Sequence, residues 1–305
     1  MASRVYFASQ GVAIDDEFIT GVQSVGISIN YSLEQAFQLG VLGIYDQIAT
    51  DAEVGVTITK NLDGGGLLGT GKITIASTND GTALSTSGVT QTVTVITGAL
   101  VNSQTFNFPA DGWATQEVSY FADNKSVATS GISGITVPNG VTRNIYRHHV
   151  DVVSGGPGGN ITNVTISTDY NLTPMFRLGQ LKPHTRYTDY PVETTVEVTI
   201  DNTAVDNTTV NLDDISCSGT AVTTNDFIIQ VCRSNYSGSP AQASGGSGCT
   251  LGNQILYYFR VPKVTLSSVT QDGGDTGGGN ASTTYTYIGY DGVSHCLPSG
   301  SGGSP

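Results

Sequence analysis

"NYSLEQAFQLG" (residues 30–40) and "DYNLTPMFRLG" (residues 169–179) are near-copies of one phrase, set 139 residues apart in a chain of 305. Aligned at that spacing, residues 23–42 and 162–181 share nine of twenty positions, among them Val25/Val164, Ile27/Ile166, Ser28/Ser167, Leu33/Leu172 and Phe37/Phe176. Three more matches occur in the same order. "RVYF" (4–7) answers "NIYR" (144–147), and "EVSYFADN" (117–124) answers "TYTYIGYD" (284–291). "VGVTI" (54–58) answers "VEVTI" (196–200) once three residues are allowed as an insertion. Four matches in the same order mark an internal repeat. The expectation is two tandem domains, residues 1–135 and 136–305, divided within the turn-rich "VATSGISGITVPNGVTR" (127–143).

Most of the remaining sequence alternates polar with apolar or β-branched residues, as in "KITIAST", "TQTVTVITG", "VETTVEVTID" and "STTYTYIGY". That is the period of a sheet with one buried face. The repeated phrase is the expected exception. Ser32 is placed to cap a helix with Gln35 answering, Leu33, Ala36 and Phe37 share one helical face, and Gly40 supplies the stop. In the copy, Asn171 caps, Pro174 sits in the first turn, Leu172, Met175 and Phe176 repeat the face, and Gly179 ends it. The fold expectation is therefore mainly β: two tandem sandwiches or barrels, each with one short α-helix, near 32–39 and 171–178. Phe37 and Phe176 are expected in equivalent core positions. "SNYSGSPAQASGGSG" (234–248), "QDGGDTGGGNAS" (271–282) and the C-terminal "PSGSGGSP" read as exposed loops and tail.

Composition narrows the function. There are 12 Lys and Arg against 25 Asp and Glu, a formal net charge of -13. Residues 1–142 hold 4 basic and 12 acidic residues, and residues 143–305 hold 8 and 13. No basic patch is available to grip phosphates, so tight nucleic-acid binding is not expected, while DNA sliding past is compatible with this balance. No apolar run is long enough to span a bilayer. The start lacks a basic head and an apolar stretch, so no secretory signal is expected, and the protein is expected to stay in the cytoplasm where it is made or to leave only inside an assembled particle. Cys217, Cys232, Cys249 and Cys296 match no metal-binding spacing and are expected to be free thiols in core or loop positions.

No catalytic constellation can be assembled, so the expectation is a protein that is not an enzyme, with no cofactor and no metal. "GLLGTGKI" (66–73) imitates a phosphate-binding loop, but Ile73 stands where a magnesium-ligating hydroxyl is needed and a strand follows where a helix is required; it reads as a glycine-rich turn. His148 and His149 are adjacent in an extended stretch and point to opposite faces, so both read as surface residues. His184 and His295 are isolated. The acidic pairs near residues 15–17 and 213–214 lack the rest of a calcium loop.

With the repeat, the acidic balance and the strand pattern in view, the sequence resembles the tail tube (major tail) proteins of tailed bacteriophages. The likeness is carried by "VQSVGISINYSLEQAFQLG" and "ITNVTISTDYNLTPMFRLG", and by "ALVNSQTFNFPADGWATQEVSYFADN" (99–124), which looks like that family's closing hairpin. It covers most of the first half, residues 160–201 well, and the C-terminal strands loosely. The resemblance implies a structural virion protein, assembled in the host cytoplasm, whose rings stack into a hollow acidic conduit. DNA passes through it without specific binding. A duplicated member is expected to form homotrimeric, pseudo-hexameric rings that meet other phage tail proteins at the tube ends, with no membrane involved. The candidates for core or ring contact are Tyr31, Leu33, Phe37, Leu39 and Gly40, with Tyr170, Leu172, Phe176, Leu178 and Gly179 in the copy. Stacking is expected through residues 40–52 and 179–193. Two alternatives stand beside this reading: another virion component (a neck, tail-completion or decoration protein), and an adhesive or carbohydrate-binding module. The latter needs an aromatic platform, and Trp113 is the only tryptophan.

Overall fold

The strand periods of the sequence are realised almost throughout. The computed structural model describes residues 10–40, 42–78, 82–86, 88–128, 135–137, 144–157, 160–180, 182–201, 225–232, 255–273 and 281–296. Most of the expected boundary at 127–143, the loop at 234–248, most of 271–282 and the C-terminal tail lie outside these described residues. The first half contributes β1 (Gln10–Ile14), β2 (Glu17–Phe18), β3 (Val22–Phe37), β4 (Ile44–Asn61), β5 (Gly71–Thr78), β6 (Gln91–Pro109), β7 (Thr115–Ala122) and β8 (Asn124–Ala128). The second contributes β9 (Val150–Ser154), β10 (Asn160–Asp169), β11 (Leu172–Met175), β12 (Thr185–Thr188), β13 (Glu193–Asp201), β14 (Asn225–Cys232), β15 (Ile255–Asp272), β16 (Ser282–Gly289) and β17 (Ser294–Cys296).

Each half is a pair of facing antiparallel layers. In the first, β3–β4–β7 and the end of β6 form one layer; β2–β1–β5, the start of β6, and β8 form the other. In the second, β10–β13–β16 and the end of β15 face β9–β14, the start of β15, and β17. The two long strands pass from one layer to the other, and each turns the corner at a left-handed residue followed by a bulge: Gly98 (φ 70) then Val101/Ser103, and Lys263 (φ 51) then Leu266/Ser268. Between the layers of the first half lie Val56, Ile58, Ile73, Ile96, Val118 and Tyr120. Val164, Ile166, Val196, Phe227, Ile229 and Phe259 fill the second.

Every pairing of the first half's β1, β3, β4, β5, β6, β7 and β8 recurs among β9, β10, β13, β14, β15, β16 and β17. The registers correct one detail of the sequence alignment. Ile27 faces Val56, which faces Tyr120; Ile166 faces Val196, which faces Tyr287. Val56 therefore answers Val196, not Val198 as the "VGVTI" match would have it. A slip of two residues keeps every side chain on its own face, so a period-2 pattern cannot detect it.

The two expected helices are absent. Residues 32–37 continue β3, paired with β4 as far as Phe37↔Ile44, and residues 172–175 form β11, paired with β12. A helix of only eight residues is marginal on its own, whereas a partner strand rich in Ile, Tyr and Thr supplies a full ladder of hydrogen bonds. Pro174 is tolerated because β11 lies in a two-stranded ribbon with open edges. The supposed cap Asn171 has φ 46 and its N–H donates to the Asp169 carboxylate at 3.0 Å, an Asx turn that ends β10. The expected burial of the helix faces falls with the helices: Phe37 is 73% exposed and Phe176 64%.

Two smaller expectations are also corrected. Residues 147–149 form a 3-10 turn in which His149 is buried, its Nδ1 accepting the Tyr146 N–H at 3.0 Å, so it is a structural residue, not a surface one. Cys232 is buried at the end of β14 and is disulfide-bonded, not a free thiol.

Candidate functional site: a polar sheet face, two arms and two open edges

The two halves are not merely adjacent. The end of β6 pairs with β10 from Ser103↔Asp169 to Pro109↔Asn163, so the layers fuse into one sheet in the order β3–β4–β7–β6–β10–β13–β16–β15. One face of this sheet packs on the cores. On the other stand the alternate residues, and cross-strand hydroxyl contacts knit it together: Thr59 to Glu117 (3.2 Å), Thr105 to Ser167 (3.2 Å), Thr165 to Asn107 (3.2 Å) and Thr199 to Thr284 (3.2 Å). The charged side chains on this face are Glu53, Glu117, Asp169, Glu193, Glu197, Asp201 and Asp272. Among the described residues, none on the face is Lys or Arg. The result is a broad, mainly polar wall of hydroxyls, amides and carboxylates that continues across both halves, with Leu100, Phe121 and Ile288 as apolar patches on it.

Sequence reading missed this wall. Its signal was in the polar beats of the strands, the Thr, Ser and Glu between the apolar residues of "VETTVEVTID" and "SQTFNFP", which reading for the core passes over.

The repeated phrase projects from the sheet as two arms. In the first half, β3 and β4 run on beyond the core as a long hairpin, turning at Gly40 (φ 86) and Gly43 (φ 145). Tyr31, Leu33, Phe37 and Leu39 are all exposed on it, as are Leu42 and Tyr45. In the second half, β11 and β12 make the arm, with Met175, Phe176 and Leu178 exposed. This second arm lies against the first half. Arg186 forms an ion pair with Asp123, and Lys182 Nζ donates to the Asp123 carbonyl at 3.0 Å. The Tyr170 N–H donates to the Asn102 carbonyl at 2.8 Å, and its ring lines a groove with Leu100, Val101 and Leu172. The structure thus brings Tyr170 and Leu172 onto a surface between the halves. Tyr31, Leu33, Phe37, Leu39 and Gly40 stand on the free arm, and Phe176, Leu178 and Gly179 lie at the second arm's outer end.

The segment that imitates a phosphate loop has a mechanical place. Lys60 Nζ, fully buried, donates to Asp63 Oδ1 (3.1 Å) and to the Gly66 carbonyl (2.7 Å); Thr20 donates to Asp63 Oδ2 (2.6 Å). Tyr257, from the second half, donates to the Asp63 carbonyl (2.6 Å) and accepts the Gly66 N–H (3.2 Å). Gln116 holds Leu68 through both its N–H and its carbonyl, and the Tyr120 hydroxyl donates to the Gly69 carbonyl. Leu67 packs into the second core and Leu68 into the first. Lys72 is committed to Asp16 at 2.7 Å. These bonds are all made within the protein, and the loop acts as a latch between the halves.

Among the described residues, no cluster of three or more His, Cys, Asp or Glu side chains is placed to hold a metal ion. No family model matches the sequence. No curated protein matches it either. Among solved structures, the chain is similar to the anti-feeding prophage cap, a tube-terminating cap. The two share 16% sequence identity and a TM-score of 0.33, over 43% of this chain and 94% of that one.

Proposed function

We propose that this chain is a structural virion protein: the repeating unit of a phage tail tube, and not an enzyme. The observation that supports it is the wall, whose charges among the described residues are all acidic and which continues across both halves. DNA carries one negative charge per roughly 1.7 Å of axis, so basic side chains along a channel would hold it at every step. Carboxylates and hydroxyls leave it hydrated and mobile. A subunit built to bind DNA would need the opposite face.

In this reading two successive halves of one chain are two successive sectors of a ring. A unit that presents complementary surfaces on its two sides closes a circle when the rotation between neighbours divides it. With six sectors, three chains complete the ring, and fusion makes three of the six joints intramolecular. The arms project from the sheet with apolar side chains uncovered, and we assign them to contacts between stacked rings. Other tail proteins would meet the tube ends, and assembly would take place in the host cytoplasm. Negative-stain microscopy of the purified chain at high concentration tests the reading: rings or tubes are expected. A chain that stays monomeric, or that only decorates a preformed shell, contradicts it.

A further inference from the structure

We propose that the open edge of β15 in one chain pairs with the open edge of β3 in a second copy of this chain, antiparallel, with Thr270 opposite Ser28. The proposal rests on the ring-building reading above and gives its intermolecular joint a residue-level register.

The pattern for the joint is already present inside the chain, where β6 of the first half pairs with β10 of the second. The structural counterpart of β6 is β15. The corner residues Gly98 and Lys263 correspond, and so do the bulges Val101/Ser103 and Leu266/Ser268. The counterpart of β10 is β3, since Ile166 faces Val196 as Ile27 faces Val56. Among the described residues, no strand pairs with the outer edge of either β3 or the end of β15. Transferring the internal register places Ser268 opposite Asn30, Thr270 opposite Ser28 and Asp272 opposite Gly26. At the internal joint the hydroxyls of Thr105 and Ser167 lie 3.2 Å apart. Their counterparts are again a threonine and a serine, and Thr270 is not among the marks that set the correspondence.

Burial tells the same story. At the internal joint Ile166 is 1% exposed and Thr168 2%, while their counterparts Ile27 and Ile29 are 37% and 39% exposed. These side chains point toward the core layer of the sheet and are uncovered because β3 has no neighbour beyond it. A second copy's β15 would set Gln271 against Ile27 and Val269 against Ile29. Tyr31 would take the place that Tyr170 holds, its N–H directed to the Ser267 carbonyl and its ring against Leu266.

The two joints are not chemically equal. Internally, Phe106 and Phe108 are buried in the core, with ring centroids 4.7 and 5.5 Å from that of Phe259. Gln271 and Gly273 stand at the matching positions of β15. The internal joint is therefore an apolar core that forms with the fold. The outer one relies on backbone pairing and hydroxyl contacts, and its β15 side shows water little apolar surface before it is paired.

The test introduces Ser28→Cys and Thr270→Cys into the full chain and oxidises assembled material. In one chain these residues sit on strands at opposite ends of the sheet, several inter-strand spacings of about 4.8 Å apart, so only a second copy can join them. A disulfide ladder ending at a closed three-chain species is expected, with none from either single variant. Layers that form without cross-linking, or that cross-link more readily through Asn30→Cys with Thr270→Cys, overturn this register while leaving the tube reading intact. Failure to form any layers removes both. Amide exchange of the unmodified chain gives a second readout: residues 26–30 should slow by about tenfold or more on assembly, and unchanged rates would defeat the joint.

Discussion

Single residues mark where the fold is under most constraint. Gly98 and Lys263 turn the same corner, yet only one is glycine. A Cβ at Gly98 would lie 2.2 Å from Asp123 Oδ2, and its φ of 70 is costly for any side chain. Gly98→Ala is expected to cost at least about 1 kcal/mol, and Lys263→Gly to be neutral or stabilising; urea denaturation of both variants checks the pair. In the latch, Asp63→Ala leaves the Lys60 ammonium buried without its counter-charge. A loss of about 3–5 kcal/mol is expected in the same assay. Tyr257 and Tyr287 are held protonated by burial, their pKa values pushed up to about 12. Unfolded tyrosines ionise near 10, so between about pH 10 and 12 the folded chain binds more protons than the unfolded one and loses stability as pH rises. Lys60 works in the other direction, because burial lowers its pKa despite Asp63, so its share of stability rises as pH approaches the usual lysine range. The expected outcome is a fall in unfolding free energy above pH 10 that is shallower in Tyr257→Phe. None of these roles was legible in the sequence: Lys60 is flanked by residues of an ordinary alternating strand, and Tyr257 reaches Asp63 from 194 residues away.

At the scale of elements, the sequence made the strands and their order readable, because period-2 alternation is local and strong. It misled wherever the outcome depended on a distant partner. "SLEQAF" satisfies helix spacing and capping as well as any short segment, but β4 was free to pair with it. The apolar residues assigned to a helix face became the two sides of an exposed hairpin. This changes what substitution should do there. Phe37→Ser is expected to leave monomer stability within about 0.5 kcal/mol, where a core site would lose several. It should also weaken the association of layers, which sedimentation of assembled material measures. Phe106→Ala carries the opposite expectation, a loss of about 3–5 kcal/mol, since Phe106 sits in the core that joins the halves. The candidate site divided in the same way. The repeated phrase was found from sequence, with Tyr170 and Leu172 on the surface between the halves. The wall and the open edges emerge only when the sheet is assembled.

On the scale of the whole molecule, part of the net charge of -13 acquires a location, because among the described residues one broad face carries acids and no Lys or Arg. Purified protein is expected to show no measurable duplex-DNA binding at physiological salt. Glu117→Lys with Glu197→Lys should introduce weak, salt-sensitive binding, read by fluorescence anisotropy across a salt series. In the proposed ring, the internal joint between β6 and β10 would make one chain a two-sector arc, and the open edges of β3 and β15 would continue it. The most direct measurement is a cryo-EM reconstruction of one assembled layer. Three chains and six similar lobes are expected around a central channel, with Glu117, Glu197 and Thr199 on the channel side and the arms reaching to the next layer. A layer of six chains, or a channel lined by any other face of the sheet, would contradict the proposal.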